Sequence, residues 1–123
     1  MAWSKKRTAS TGVVSAAPLL AHLTSATFNI TAIRTGDAVE LSCYVRQFDV
    51  AGVAQGGTLL TLPAGWRPAM PYRVATVQPS TAVLDVATNG TVTLSSGSIT
   101  QNAYVAFRLA HLTRDAWPTG GGI

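Results

Sequence analysis

The side chains best suited to acid–base, nucleophilic or metal chemistry in this 123-residue chain are two histidines, one cysteine and five carboxylates. Their spacing brings none of them together. His22 and His111 each lack a nearby carboxylate or nucleophile in a recognisable catalytic pattern. Asp37, Glu40, Asp49, Asp85 and Asp115 are scattered, and nothing in their spacing suggests the facing pair of a glycosidase. The sequence has no zinc spacing, phosphate loop, dinucleotide fingerprint or calcium loop. No catalytic residue, cofactor or metal is therefore expected. Asn29-Ile30-Thr31 and Asn89-Gly90-Thr91 match the glycosylation sequon, yet both suit a strand and a turn without modification.

Binding chemistry is better represented. Trp3 stands beside Lys5, Lys6 and Arg7, the only basic cluster; the other six cations are single arginines among strand-like segments. A large apolar anchor next to positive charge suits docking on an acidic protein surface, whereas a nucleic-acid footprint normally includes more than one short basic run. The second candidate is Trp66-Arg67. Trp66 is expected to pack in the core or an interface with one partner for its indole N–H, and Arg67 to meet a carboxylate or an anionic ligand.

The elements that must position these groups are strands. Phe28, Ile30 and Ala32 alternate with Thr27, Asn29 and Thr31, and Thr35-Gly36-Asp37 supplies a turn. Val39, Leu41, Cys43 and Val45 then point inward, with Glu40, Ser42, Tyr44 and Arg46 outward, which makes Cys43 a buried structural thiol. Asp49 to Gly57 reads as a tolerant surface loop. Thr58 to Leu62 forms a strand that Pro63 must end, because proline cannot donate to a ladder. Strands follow at Tyr72 to Val77, Ala82 to Ala87, Thr91 to Ser95 and Ala103 to Leu109, with Asn89-Gly90 expected as a two-residue type I′ turn. No segment carries a helical stripe. The fold class is all-β: a sandwich of jelly-roll type with about seven or eight antiparallel strands.

Residues 1–24 form an extended N-terminal arm without sustained periodicity, either an attachment segment or disordered, 25–113 the single β-sandwich domain, and 114–123 a C-terminal tail that frays or lies on a neighbour. Gly12, Pro18 and several polar residues interrupt the apolar stretch after the basic cluster, so it is a poor signal peptide, and no membrane insertion is expected. Charged residues make up only 11% of the chain against roughly a quarter in soluble domains, so faces buried against other copies are expected.

The corner Leu62-Pro63-Ala64-Gly65-Trp66-Arg67-Pro68, followed by these strands and the Asn89-Gly90 turn, resembles the C-terminal β-sandwich modules of tailed-bacteriophage fibre and minor tail proteins over roughly Thr27 to Leu112. The resemblance implies a virion structural protein, commonly trimeric, made in the host cytoplasm, with other tail or capsid proteins and a host-surface polysaccharide as partners. A chain beginning at Met1 without a repetitive shaft departs from a full-length fibre. The arm is therefore expected to clamp onto the particle through Trp3, Lys5, Lys6 and Arg7, ordering only on a partner. Two alternatives stay open: a capsid decoration protein held to the shell by that arm, and a carbohydrate-binding module or cell-wall hydrolase, which needs aromatic platforms or acid pairs in a cleft.

Overall fold

The computed structural model describes residues 9–16, 29–46, 53–78, 82–100, 103–118 and 123. These form eight strands: β1 (Val14–Ser15), β2 (Asn29–Thr35), β3 (Ala38–Arg46), β4 (Thr58–Thr61), β5 (Tyr72–Ala75), β6 (Val83–Val86), β7 (Thr91–Ser96) and β8 (Tyr104–Leu112). They build two antiparallel four-stranded sheets, one ordered β1-β2-β3-β8 and the other β4-β7-β6-β5. The pairing is nested. Ala38 to Arg46 run against Leu112 to Tyr104, Val53 pairs with Ile99, and Thr58 to Thr61 run against Thr93 to Thr91. One antiparallel ribbon thus bends from the first sheet into the second and fixes both in a jelly-roll-like sandwich.

Alternation decides which side chains fill the space between the sheets. Ile30 and Ala32 from β2, Val39, Leu41, Cys43 and Val45 from β3, and Val105, Phe107 and Leu109 from β8 meet Leu59, Leu60, Leu84, Val86, Val92 and Leu94 of the opposite sheet. Leu59 and Leu60 are both buried although adjacent, because the β4–β7 register shifts between Thr58 and Leu60. Burial pushes the Cys43 thiol up to about 12, as befits an inert core residue.

Four expectations need correction. First, residues 9–16 do not wait for a partner: Val14 and Ser15 pair with Ala32 and Thr31, Ser10 bridges Thr35, and Ala16 is fully buried. An unpaired β2 edge offers backbone donors and acceptors to any extended segment, so small polar residues suffice there. Second, of the loop expected at Asp49 to Gly57, residues 49–52 lie outside the described residues, and Val53 to Gly57, though exposed at Ala54 to Gly56, is tied down, with Val53 and Ile99 exchanging two backbone hydrogen bonds and Gly56 N–H donating to Leu94. Third, the chain leaves β5 after Ala75 and crosses to the first sheet, where Val77 and Gln78 pair with Ala106. Fourth, the β6–β7 loop is Thr88-Asn89-Gly90, three residues long. Gly90 N–H donates to the Ala87 carbonyl and Ala87 N–H to that of Thr91, with Gly90 at φ 90° in the position such loops reserve for glycine.

Candidate functional site

The corner after β4 is a β-turn in which Trp66 N–H donates to the Pro63 carbonyl at 3.1 Å, with Gly65 at φ 100° in the third position. The turn drives Trp66 into the core, where it is fully buried. Its indole N–H has no hydrogen-bond partner among the described residues, contrary to the expectation of one. Arg67 turns outward and forms a bidentate pair with Asp115, at 3.0 Å from Nε to Oδ2 and from Nη2 to Oδ1. The same carboxylate accepts the backbone N–H groups of Gly65 and Arg67 at 2.9 and 3.1 Å. Arg67 is thereby engaged with a protein carboxylate and not presented for an anionic ligand.

The hub of this end of the sandwich is Arg34, which the sequence reading counted among the single arginines. Only 3% of it is exposed. Its guanidinium donates to the carbonyls of Gly36, Gly65, Asp115 and Ala116 at 2.8 to 3.0 Å, and its Cζ lies 5.0 Å from the Trp117 ring centroid. Residues 115–118 of the expected tail are thus strapped across the corner by two arginines, whereas 119–122 lie outside the described residues. Ile123 packs against the core as well. Pro118 sits so close to Gly65 that a methyl group there would approach the proline Cβ at 2.7 Å.

Acid should loosen this strap. The Arg67 hydrogen bonds, helped by the two backbone donors, hold the Asp115 carboxyl at about 2 against an ordinary 3.8. A carboxylate with a depressed folded pKa stabilises the fold above its unfolded value and loses that contribution as pH falls toward the folded one. Stability is expected to drop between about pH 4 and pH 2 by about 1–2 kcal/mol from this group, a figure kept low because Arg67 is partly hydrated. Urea titrations at pH 5 and pH 2.5 on the protein and on Asp115→Asn check it: the variant should show less loss over that interval.

The neighbouring cleft, about 560 Å³ in volume, is bounded by Asp37, Met70, Tyr72, His111, Leu112 and Arg114. The Tyr72 hydroxyl lies 2.7 Å from His111 Nδ1, and His111 Nε2 lies 2.8 Å from the Trp66 carbonyl oxygen. A carbonyl can only accept, so Nε2 carries the hydrogen and the neutral ring accepts the tyrosine proton at Nδ1. Burial lowers the His111 pKa, outweighing the carbonyl bond that favours its proton, and burial also pushes the Tyr72 hydroxyl up to about 12. The dyad is thus a tautomer-fixed brace between β5, β8 and the corner. Both ring nitrogens of His111 are engaged within the protein, and burial keeps the phenol protonated.

The candidate anchor residues Trp3, Lys5, Lys6 and Arg7, together with His22, lie outside the described residues. Among the described residues no three His, Cys, Asp or Glu side chains group as a metal site. Trp66 and Arg67 do come together at the end of the sandwich, as structural groups. Asp115, Arg34 and His111 are the residues that sequence reasoning missed there, and for Arg34 a signal existed: alternation in β2 puts it on the same face as Ile30 and Ala32. Comparison with family models, with curated proteins and with solved structures finds no match to this chain.

Proposed function

We propose that this protein is a non-enzymatic structural component of a bacteriophage particle, of the minor tail or fibre-tip type, working as a homo-oligomer, most simply a trimer. The observation that carries the reading is the end of the sandwich itself. The Leu-Pro-x-Gly-Trp-Arg-Pro corner that underlies the resemblance to phage fibre modules is bound up entirely in holding the chain together, through Arg34, Arg67 and Asp115. Cys43 is buried, and the His111–Tyr72 pair is tied to the Trp66 carbonyl. What the molecule presents to its surroundings is surface: strand faces and exposed apolar side chains such as Val13, Met70, Val77 and Leu112. A small domain of low charge with such residues gains by packing against copies of itself or other virion proteins.

Two measurements test the reading. Light scattering of the purified protein at micromolar concentration is expected to give a trimer, and antibody-gold labelling of purified particles to mark the tail tip. Label on the capsid shell would move the protein to a decoration role. A monomer absent from purified particles would remove the assignment.

A further inference from the structure

Ser10, Thr35, Ala38 and Leu112 stand in one row across an end of the β1-β2-β3-β8 sheet, each registered against the next. The chain reaches this row from Ala9, whose carbonyl accepts the Gly36 N–H at 2.8 Å in the turn between β2 and β3. Two clefts border the row. The first, of about 420 Å³, is bounded by Ala9, Arg34, Gly36, Asp37 and Trp117. The second is the cleft of about 560 Å³ beside the brace, and Asp37 borders both. On the second cleft Met70 and Leu112 are 71% and 67% exposed, and neither serves the core, the strap or the brace. The Ala69 N–H donates to the Leu112 carbonyl at 2.9 Å, which keeps these two apolar side chains on one patch.

We propose that the second cleft is the seat of the chain's own N-terminal segment: residues 1–8 cross the β2–β3 turn from Ala9 and lay the Trp3 indole on Met70 and Leu112. Reach permits it. The line of β8 lies three strand spacings from that of β1, roughly 14 Å. Six extended residues, from Ala9 back to Trp3, span up to roughly 20 Å. Direction permits it as well, because the Gly36 hydrogen bond to Ala9 starts the segment at the turn, on the wall of the first cleft. Polarity then sorts the residues. Arg114 borders the second cleft and would repel a basic run laid inside it. Lys5, Lys6 and Arg7, being nearer to Ala9, fall instead over the turn, where the Asp37 carboxylate is 83% exposed. The uncharged Met1-Ala2-Trp3-Ser4 is what arrives at the apolar walls.

No separate partner is needed to cover this patch. One aromatic side chain of this size buries roughly 150–250 Å², more than any other group could bring along so short a segment. The short tether also holds the indole near the cleft at an effective concentration in the mM range, so a contact too weak to retain a free peptide suffices. Residues 9–16 already behave this way, closing on their own sheet along β2. The placement departs from the expected anchoring of Trp3 on another protein, and it does not depend on the particle role proposed above.

The full chain labelled with 5-fluorotryptophan tests it. Trp3, Trp66 and Trp117 give one 19F signal each, and Trp3→Ala identifies the first by its loss. That signal is expected well away from its position in the urea-unfolded chain. Met70→Gln and Leu112→Gln, both at exposed sites, should each return it at least halfway to the unfolded position with an unchanged melting temperature. Val77→Gln, at an apolar residue just as exposed but outside the cleft, should leave it in place. Nuclear Overhauser contacts between the Trp3 ring and the Met70 methyl group, measured on labelled and unlabelled chains mixed before refolding, are expected within one chain. A Trp3 signal at the unfolded position, or one that ignores both cleft variants, overturns the proposal. So do contacts found only between labelled and unlabelled chains, which would give the cleft to the arm of a second copy. Either failure leaves the particle labelling untouched, and absence of label from particles leaves the Trp3 signal untouched.

Discussion

Arg34→Met should be among the most damaging single substitutions outside the hydrophobic core, costing about 3–5 kcal/mol, because it strips the donor from the buried Gly65 carbonyl and from three half-buried ones at once. Arg34 is tied to Gly36 in its own hairpin, to Gly65 in the corner, and to Asp115 and Ala116 in the C-terminal strap. Methionine fills similar volume but leaves those oxygens without partners. Arg34→Lys should recover only part of the loss, since one ammonium cannot reproduce the planar fork that reaches both sides of the corner. The nearby carboxylate contributes little by comparison: Asp37 is 3.7 Å away and 83% exposed, so Asp37→Ala is expected to fall within about 0.5 kcal/mol of the parent. Urea midpoints of the three variants separate the explanations. Equal losses for Arg34→Met and Asp37→Ala would mean that the ion pair, and not the carbonyl set, holds the arginine. Hydrogen exchange should further show Gly65 and Arg67 amides opening in Arg34→Met, because their Asp115 acceptor leaves with the strap.

The parts of this architecture that were legible in the sequence are those in which a side chain's identity follows from its face. β3 and β8 alternate cleanly, and every inward residue named from the sequence on those two strands is buried. The elements that were not legible are held by groups every residue possesses. Residues 9–16 join the sheet through backbone bonds, such as Thr11 N–H to the Arg34 carbonyl and Ala16 N–H to that of Ile30, which leave almost no compositional trace. The strap is a long-range matter as well: Asp115 finds Arg67 across 48 residues, and no local pattern encodes that meeting. Arg34 was the exception, a lone cation at an inward position, which buried hydrogen bonding alone can justify. The meeting of Tyr44 and Tyr104, whose ring centroids lie 5.8 Å apart, required register: alternation put both residues outward, but only the β3–β8 pairing brings them side by side.

Gly90→Ala should cost at least 3 kcal/mol, well beyond the roughly 1–2 kcal/mol of a positive-φ penalty alone. The excess has a specific source. Leu62 N–H donates to the Gly90 carbonyl at 2.8 Å, drawing the β6–β7 loop onto the end of β4, and a β-carbon at Gly90 would overlap the Leu62 carbonyl oxygen and crowd Arg67 Cγ at 3.1 Å. Backbone cannot step aside as a flexible side chain can, so relief requires breaking the contact between the loop and the corner. Gly56 provides the matched control. Its φ of 87° is nearly the same as the 90° of Gly90, yet nothing lies within 4 Å of the site where its β-carbon would stand. Gly56→Ala should therefore report the conformational penalty by itself, about 1–2 kcal/mol. The difference between the two variants in chemical denaturation measures how tightly the hairpin is pressed against the corner. Equal destabilisation would place the corner free of the loop, and the strap held by Arg34 and Arg67 would then have to position Trp66 without help from the β6–β7 side.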